Sequence, residues 1–594
     1  MFLLTFLPLC PAWAGPEEAL RDYISAPDSA FGYRHVTTVK RPGCKIHVLS
    51  MKSQHWRTKL EVNRPVWSHW LAVVVPDDVR TDIGMLIVEG GMNLPFRPSL
   101  NNPVVAAAEY IAKTTKTAVI AMGQVPNEPL YFADTDEGLM EDKLVAYSWA
   151  KAMATGDYTW PVYVPMAKSV VRAMDSVQDF MSKIEAHPMQ RFVLVGFSKR
   201  GAVTWLTAAS DTRVMALASG GFDILDIAAQ LEHHYSAYGS YARELRAYLD
   251  YDIVRRLRSP EGEMLMQVVD PYFYRESVTQ PKLLINATGD PYFLPDAARQ
   301  YLDALHGETL LHYVPNAGHT LHGKEDGVMD LVNGLTSWYE SLLAEVLRPQ
   351  ITWSLADGRL QLRSTPTPLS MRLWQASNAK ARDFREKTIG ATWTSVPLEV
   401  KEGGETSVGL AQPNKGWRAY FVELHYPGVA GLPQVYSTPV FIVPDLLPHA
   451  LVDPVQHPHA EVFWKDQIAR ARGSDLSAEI GATQLANYFP LPLFDAYVAD
   501  LAAAGRVMAT GDDPADQARR QCLATRLNIA RHELGWYSRL NLDGTSDRYL
   551  WQHYREAHAA FLHGEPARAR DLCAAINSVG ASGQVNDSPA ATRK

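Results

Sequence analysis

One stretch constrains this chain more than any other. Arg191-Phe192-Val193-Leu194-Val195 reads as a short, mostly apolar strand, and Ala202 to Ala209 reads as a helix. Between them lies Gly196-Phe197-Ser198-Lys199-Arg200-Gly201, a sharp turn with a serine inside a pair of glycines. Strand, tight turn with a central serine, helix: this setting makes a serine a nucleophile elbow, its hydroxyl exposed at the carboxyl end of a sheet and over a helix N-terminus. The spacing departs from G-x-S-x-G, because Arg200 stands two after Ser198 and the glycine comes one later. The competing reading is a plain strand–helix junction with Ser198 as N-cap, a role serine favours.

The surrounding sequence weighs on that choice. Short apolar runs at Ile83 to Val88, Ala118 to Met122, Val214 to Gly220, Lys282 to Thr288 and Thr309 to Val314 read as strands. Helical patterns fall between them, over about 101–115, 163–187 and 296–305, with a terminal helix over about 325–346. Such alternation predicts an α/β fold with a parallel sheet covered on both faces. Binding sites in these sheets lie outside the carboxyl ends of the strands. Two further strand-like runs, Cys44 to Met51 and Trp70 to Pro76, come earlier. Between them sits an aromatic-rich hairpin with Ser53-Gln54-His55-Trp56 and Trp67-Ser68-His69-Trp70, read as packing.

Asp290 follows one sheet strand, in Gly289-Asp290-Pro291-Tyr292-Phe293, and His319 follows the next, in Pro315-Asn316-Ala317-Gly318-His319. The chain order Ser198, Asp290, His319 is that of the α/β-hydrolases. Ser198 is then the expected nucleophile, His319 its base and Asp290 the acid that orients the imidazole. Asp223 and Asp296 are rival acids, the latter better read as a helix N-terminal residue. The backbone N–H of Lys199 is the expected first oxyanion donor, and Gly91 or Met92, after the Gly90-Gly91 pair, the second. The side chains of Lys199 and Arg200 either add positive potential near the site or are solvated charges at a helix start; both readings stay open. Asn127 and Glu128, on another carboxyl-edge loop, and Tyr292 are candidates for substrate contact. A Glu128 pointing into the pocket would accept a substrate amine.

With 594 residues, the chain is expected to hold several domains. The hydrolase domain is expected over 15–348, with residues 224–279 as an inserted helical, tyrosine-rich cap. Its His233-His234 pair is read as cap surface or pocket wall. Strand-like runs with turn signals over 349–446 predict a β-sandwich. Residues 447–578 are helical and alanine-rich, with helices expected at Leu493 to Ala504 and Ala515 to Leu540, and 579–594 are a tail. Charged residues make up 21% and the formal net charge is −8, with no long basic run, so the footprint of a nucleic-acid binder is missing. The first residues form an apolar run ending in Ala12-Trp13-Ala14, read as a secretory signal peptide (1–14) cut after Ala14, for a periplasmic or secreted protein. No other apolar run has the length of a transmembrane segment. Of four cysteines, Cys10 would leave with the signal. Cys522 and Cys573 are then placed to bridge two C-terminal helices, leaving Cys44 free. The cysteines share no metal-ligand spacing, and no metal or cofactor is expected.

Several motifs together carry a family resemblance. They are Ser53-Gln54-His55-Trp56, Trp67-Ser68-His69-Trp70, Trp160-Pro161 with Pro165-Met166, Ser198-Lys199-Arg200-Gly201, Asp270-Pro271-Tyr272, Gly289 to Phe293, and Val314 to His319. The chain resembles the PhoPQ-activated pathogenicity-related family of secreted α/β-hydrolase-fold proteins from about residue 20 to about 446. Phe197 departs from the small residue expected in this family before the serine. The resemblance implies fold and export and says little about substrate. Two functions stay open. One is an exported serine hydrolase acting through an acyl-enzyme on a peptide, amide or ester. The other is a catalytically silent binding or signalling protein, with a protein partner held by the C-terminal domains.

Overall fold

The structure is a computed structural model and describes residues 16–94, 96–323, 327–473, 477–494 and 496–579. The expected signal peptide and the tail from residue 580 lie outside the described residues. Nine strands form the first part of a large sheet: β1 (Gly32–Arg41), β2 (Cys44–His55), β3 (Val66–Pro76), β4 (Ile83–Val88), β5 (Val119–Met122), β6 (Arg191–Phe197), β7 (Val214–Gly220), β8 (Lys282–Ala287) and β9 (Thr309–Val314). Their order is β1-β2-β3-β5-β4-β6-β7-β8-β9. Pairing is antiparallel from β1 through β3 to β5 and parallel from β5 through to β9. The parallel strands are near-continuous apolar runs because both faces are covered; every residue of β8 is buried. This is the α/β-hydrolase architecture that the chain order of Ser198, Asp290 and His319 suggests.

Local chemistry fixes the covering helices. The helix Pro103–Thr115 starts where Asn102 Oδ1 accepts from the N–H groups of Val104 and Val105, with proline in its first turn. It ends at Lys116, in the left-handed region with φ 57°. Val105, Ala108, Ile111, Ala112 and Thr115 form its buried stripe. Each large apolar member contributes roughly 1.5–3 kcal/mol by leaving water. This helix packs with Gly327–Leu343, and Tyr163–Phe180 packs with Lys199–Ser210, so two helix pairs cover the sheet. The helix expected over 296–305 is reduced to two 3₁₀ turns, Ala297–Gln300 and Leu302–Ala304. Tyr301 breaks it: its hydroxyl reaches Asp223, and its φ of −129° leaves the helical range.

The expected sandwich is not set apart. Its strands are β10 (Gln350–Ala356), β11 (Arg359–Thr365), β12 (Ser370–Asn378), β13 (Thr394–Leu398), β14 (Glu405–Gly409), β15 (Trp417–Tyr426), β16 (Gln434–Ser437) and β17 (Phe441–Val443). The large sheet runs on past β9 as β16-β15-β12-β13, with β17 also on β15; only β10-β11-β14 form a second sheet. Ser437 pairs with Leu311, and its hydroxyl accepts from the N–H of Tyr313 at 3.0 Å. Strand β9 would otherwise be an exposed edge. One apolar cluster takes in Val193 and Ile285 together with Leu373 and Val422.

The chain divides into two compact units. The first comprises the chain up to Val145, Pro161–Gln230 and Gln267–Leu446, so residues 349–446 belong with the hydrolase sheet. The second comprises Ala146–Trp160, Leu231–Met266 and the chain from Leu447. The middle of the expected cap is therefore part of the C-terminal helical unit. Glu261 and Arg526, both buried, form an ion pair within it at 2.8 Å. Helices Glu461–Arg472, Leu501–Met508, Pro514–Ala530, Leu550–Leu562 and Pro566–Asn577 surround Trp464, Leu523, Leu527 and Ile576. A disulfide joins Cys522 to Cys573, and Cys44 is free and buried. The helix expected at Leu493 to Ala504 starts only at Leu501, where Asp500 accepts from the N–H of Ala503; before it lies a short hairpin, Leu491–Leu493 with Ala496–Val498.

Candidate active site

The turn after β6 is as sharp as its sequence implies. Ser198 has φ 55° and ψ −125°, a conformation that residues with a Cβ rarely adopt. Its N–H donates to the carbonyl of Gly220 at 2.7 Å. A Cβ on Gly196 would lie 2.2 Å from the Arg200 carbonyl oxygen, and one on Gly201 would lie 2.6 Å from Ser219 Oγ. Both glycines are therefore required by close approach, and the displaced glycine at 201 serves the turn. Phe197 finds room because Gly221 carries no side chain: a Cβ there would sit 2.7 Å from the Phe197 ring. Ser198 makes no capping hydrogen bond to the helix that follows.

Its hydroxyl points elsewhere. Ser198 Oγ lies 2.9 Å from His319 Nε2, and His319 Nδ1 lies 2.8 Å from Asp290 Oδ2. Asp290 is 2% exposed, and its other oxygen accepts from the N–H of Tyr292 at 2.8 Å. The rings of Phe197, Tyr292 and Phe293 surround the imidazole, with centroids 5.2, 4.6 and 5.9 Å away. The rival acids are occupied. Asp223 accepts from the hydroxyls of Tyr301 and Tyr313, both at 2.6 Å, and burial raises its pKa to about 7. Asp296 accepts from Arg382, a fully buried arginine, at 2.6 Å.

The loops carrying Asp290 and His319 are braced from the segment between β12 and β13. The N–H of Glu386 donates to the Gly289 carbonyl at 3.0 Å. Asn316, with φ 56°, donates from Nδ2 to the Trp393 carbonyl and accepts from the Trp393 N–H. Neither Glu386 nor Trp393 carries a sequence signal for this role; only the fused sheet brings them here.

The second expected oxyanion loop follows β4. Gly91 has φ 102°, and nothing lies within 4 Å of where its Cβ would be. At Gly90 a Cβ would lie 2.3 Å from the Arg200 guanidinium. Arg200 and Lys199 are 7% and 8% exposed, which corrects the reading of both as solvated charges. Arg200 donates to both oxygens of Glu141, at 3.0 and 2.9 Å, and to the Val125 carbonyl at 2.5 Å. Lys199 Nζ lies 3.0 Å from Asp142 and 3.1 Å from Glu141. Glu141 and Asp142 escape sequence reasoning because nothing local marks them.

Of the residues expected to touch substrate, Asn127 and Glu128 need correction. Both are buried, at 0% and 1% exposure. Asn127 Oδ1 accepts from the Ser68 N–H and from the Asn93 amide. Glu128 accepts from the Glu141 N–H at 2.7 Å and stands 3.7 Å from Arg200. Burial, with Glu141 beside it, pushes the Glu128 carboxyl upward. For Glu141, the Arg200 hydrogen bonds outweigh burial and hold its carboxyl below the usual range. These side chains brace the loops instead of facing a substrate. Tyr292 lies against His319 and donates from its hydroxyl to Asp142 at 3.1 Å.

Comparison with known proteins adds to this picture. The chain is 29% identical over 430 residues to autocrine proliferation repressor protein A of Dictyostelium discoideum, covering 68% of this chain and 85% of that protein. Among solved structures, it resembles acetyl xylan esterase 1 from Thermoanaerobacterium sp. JW/SL YS485, with TM-score 0.37, 13% identity and coverage of 54% of this chain and 91% of that one. It also resembles an S-formylglutathione hydrolase from Agrobacterium tumefaciens, with TM-score 0.32, 14% identity and coverage of 52% and 98%. Among the described residues, no helix is long and apolar enough to cross a membrane. Residues 20–385, more than half of the chain, match one family along their length, and the chain belongs to the PhoPQ-activated pathogenicity-related protein family.

Proposed function

We propose that this protein is an exported serine hydrolase that cleaves a peptide, amide or ester through an acyl-enzyme. The observation that carries the reading is the unbroken line of hydrogen bonds from Ser198 through His319 to Asp290. Ser198 Oγ attacks the substrate carbonyl carbon while His319 Nε2 takes the hydroxyl proton. Asp290 holds the imidazole tautomer and stabilises the imidazolium. The backbone N–H groups of Lys199 and of Gly91 or Met92 hold the oxyanion. His319 then returns the proton to the leaving group, and the acyl-enzyme forms. Water, deprotonated by His319, attacks the ester; the acid leaves and Ser198 regains its proton. The Cys522–Cys573 bridge supports export, because disulfides persist in oxidising compartments.

Turnover of activated esters and of peptide amides by the purified chain tests the reading. Ser198→Ala is expected to lower kcat by about 10⁴-fold or more, and Asp290→Asn by somewhat less. Turnover unchanged in Ser198→Ala would remove the serine from the mechanism. The Dictyostelium relative's name is that of a proliferation repressor, so a signalling role is the second reading. Under that reading the triad stays idle, and neither ester nor amide turns over.

A further inference from the structure

A cavity of about 270 Å³ opens beside the proposed oxyanion loop. Gly91 and Met92 line it on the loop side; Trp70, Phe96, Leu100 and Val104 form part of its apolar wall. One carboxylate interrupts that wall. Glu89 lines the cavity and is half-buried, and among the described residues no group makes a hydrogen bond or ion pair with its carboxylate. Arg97, also on the wall, is exposed and makes no ion pair with it. Arg200 is the other nearby cation, but its guanidinium is taken by Glu141 and Val125. Burial pushes the Glu89 carboxyl upward, against the pull of Arg200. With no protein donor on it among the described residues, the Glu89 carboxylate is left to pair with a cationic donor on a ligand.

We propose that this cavity is the specificity pocket of the site and takes an apolar group ending in an ammonium, which Glu89 accepts. The inference rests on the serine-hydrolase reading in taking the bound group to be part of the substrate. An apolar cavity of about 150 Å³ accommodates benzene, so this one has room for a phenyl ring and a short chain. The cavity and the proposed oxyanion site share the loop that carries Gly91 and Met92.

Calorimetric binding to the full chain tests it without requiring turnover. The probes are 3-phenylpropylammonium and 3-phenylpropan-1-ol, its uncharged counterpart. The wild type is expected to bind the ammonium about tenfold or more tightly. Glu89→Gln, an isosteric change, should bring the two within about twofold. Val104→Trp, checked for folding by circular dichroism, should weaken both about tenfold by filling the cavity. Ser198→Ala should bind both as the wild type does. Equal affinity for the two probes, a preference that survives Glu89→Gln, or no binding by the wild type would overturn the proposal. A chain that binds the ammonium but turns nothing over would lose the hydrolase reading alone.

Discussion

At the scale of single residues, Ser198 concentrates the cost of the site. Its positive φ is strained for any residue with a Cβ, at about 1–3 kcal/mol. Ser198→Gly should therefore be more stable than Ser198→Ala by about 1 kcal/mol, read as a higher denaturation midpoint, while both lack turnover. Equal midpoints would mean that the turn is relaxed. Asp223 offers a second residue-scale test. Burial raises its carboxyl to about 7, above its unfolded value near 4. Between those limits the folded chain holds a proton that the unfolded chain has released. Stability therefore falls as pH rises through that window and levels off above about 7. Asp223→Asn should flatten that fall, measured as the change in Tm across the window beside the wild type; an unchanged slope would contradict it. Ser198, Asp290 and His319 are legible in sequence because each directly follows an apolar strand, in a fixed chain order. Lys199 and Arg200 are not, because the partner that buries Arg200 lies 59 positions away.

At the scale of elements, the loops carrying Asp290 and His319 depend on the segment between β12 and β13, which follows them in sequence. Asn316 ties the His319 loop to Trp393 through two hydrogen bonds, and its φ of 56° is one that glycine also adopts. Asn316→Gly keeps the backbone and removes both bonds. It should slow turnover about tenfold or more by loosening His319, with KM little changed. A variant with wild-type kcat would show that the brace is dispensable. The parallel strands and the helix Pro103–Thr115 are readable as apolar runs and a helical pattern, while the Asn102 cap appears only in the structure. The turns at 297–304 are not readable in this way, because Tyr301 answers to Asp223, a tertiary partner, and not to local propensity. At Leu493, a hairpin replaces the first part of an expected helix, and the helix waits for the Asp500 cap.

At the scale of the whole molecule, the linear domain scheme fails where pairing is long-range. Residues 349–446 extend the hydrolase sheet through one short contact of β16 with β9, which no periodicity announces. Residues 231–266 join the C-terminal helices, and the buried Glu261–Arg526 pair spans 265 positions. A break in pattern along the chain reports a change of element type, not which elements share a core. The proposed activity requires Ser198 to be an activated nucleophile on this fold. The most direct measurement is labelling of the purified chain with a fluorophosphonate probe, beside Ser198→Ala and His319→Ala. Strong labelling of the wild type, with none in Ser198→Ala and at least about a hundredfold slower labelling in His319→Ala, is the predicted result. A folded wild type that takes up no label, or a Ser198→Ala chain that still takes it up, would contradict that role for Ser198.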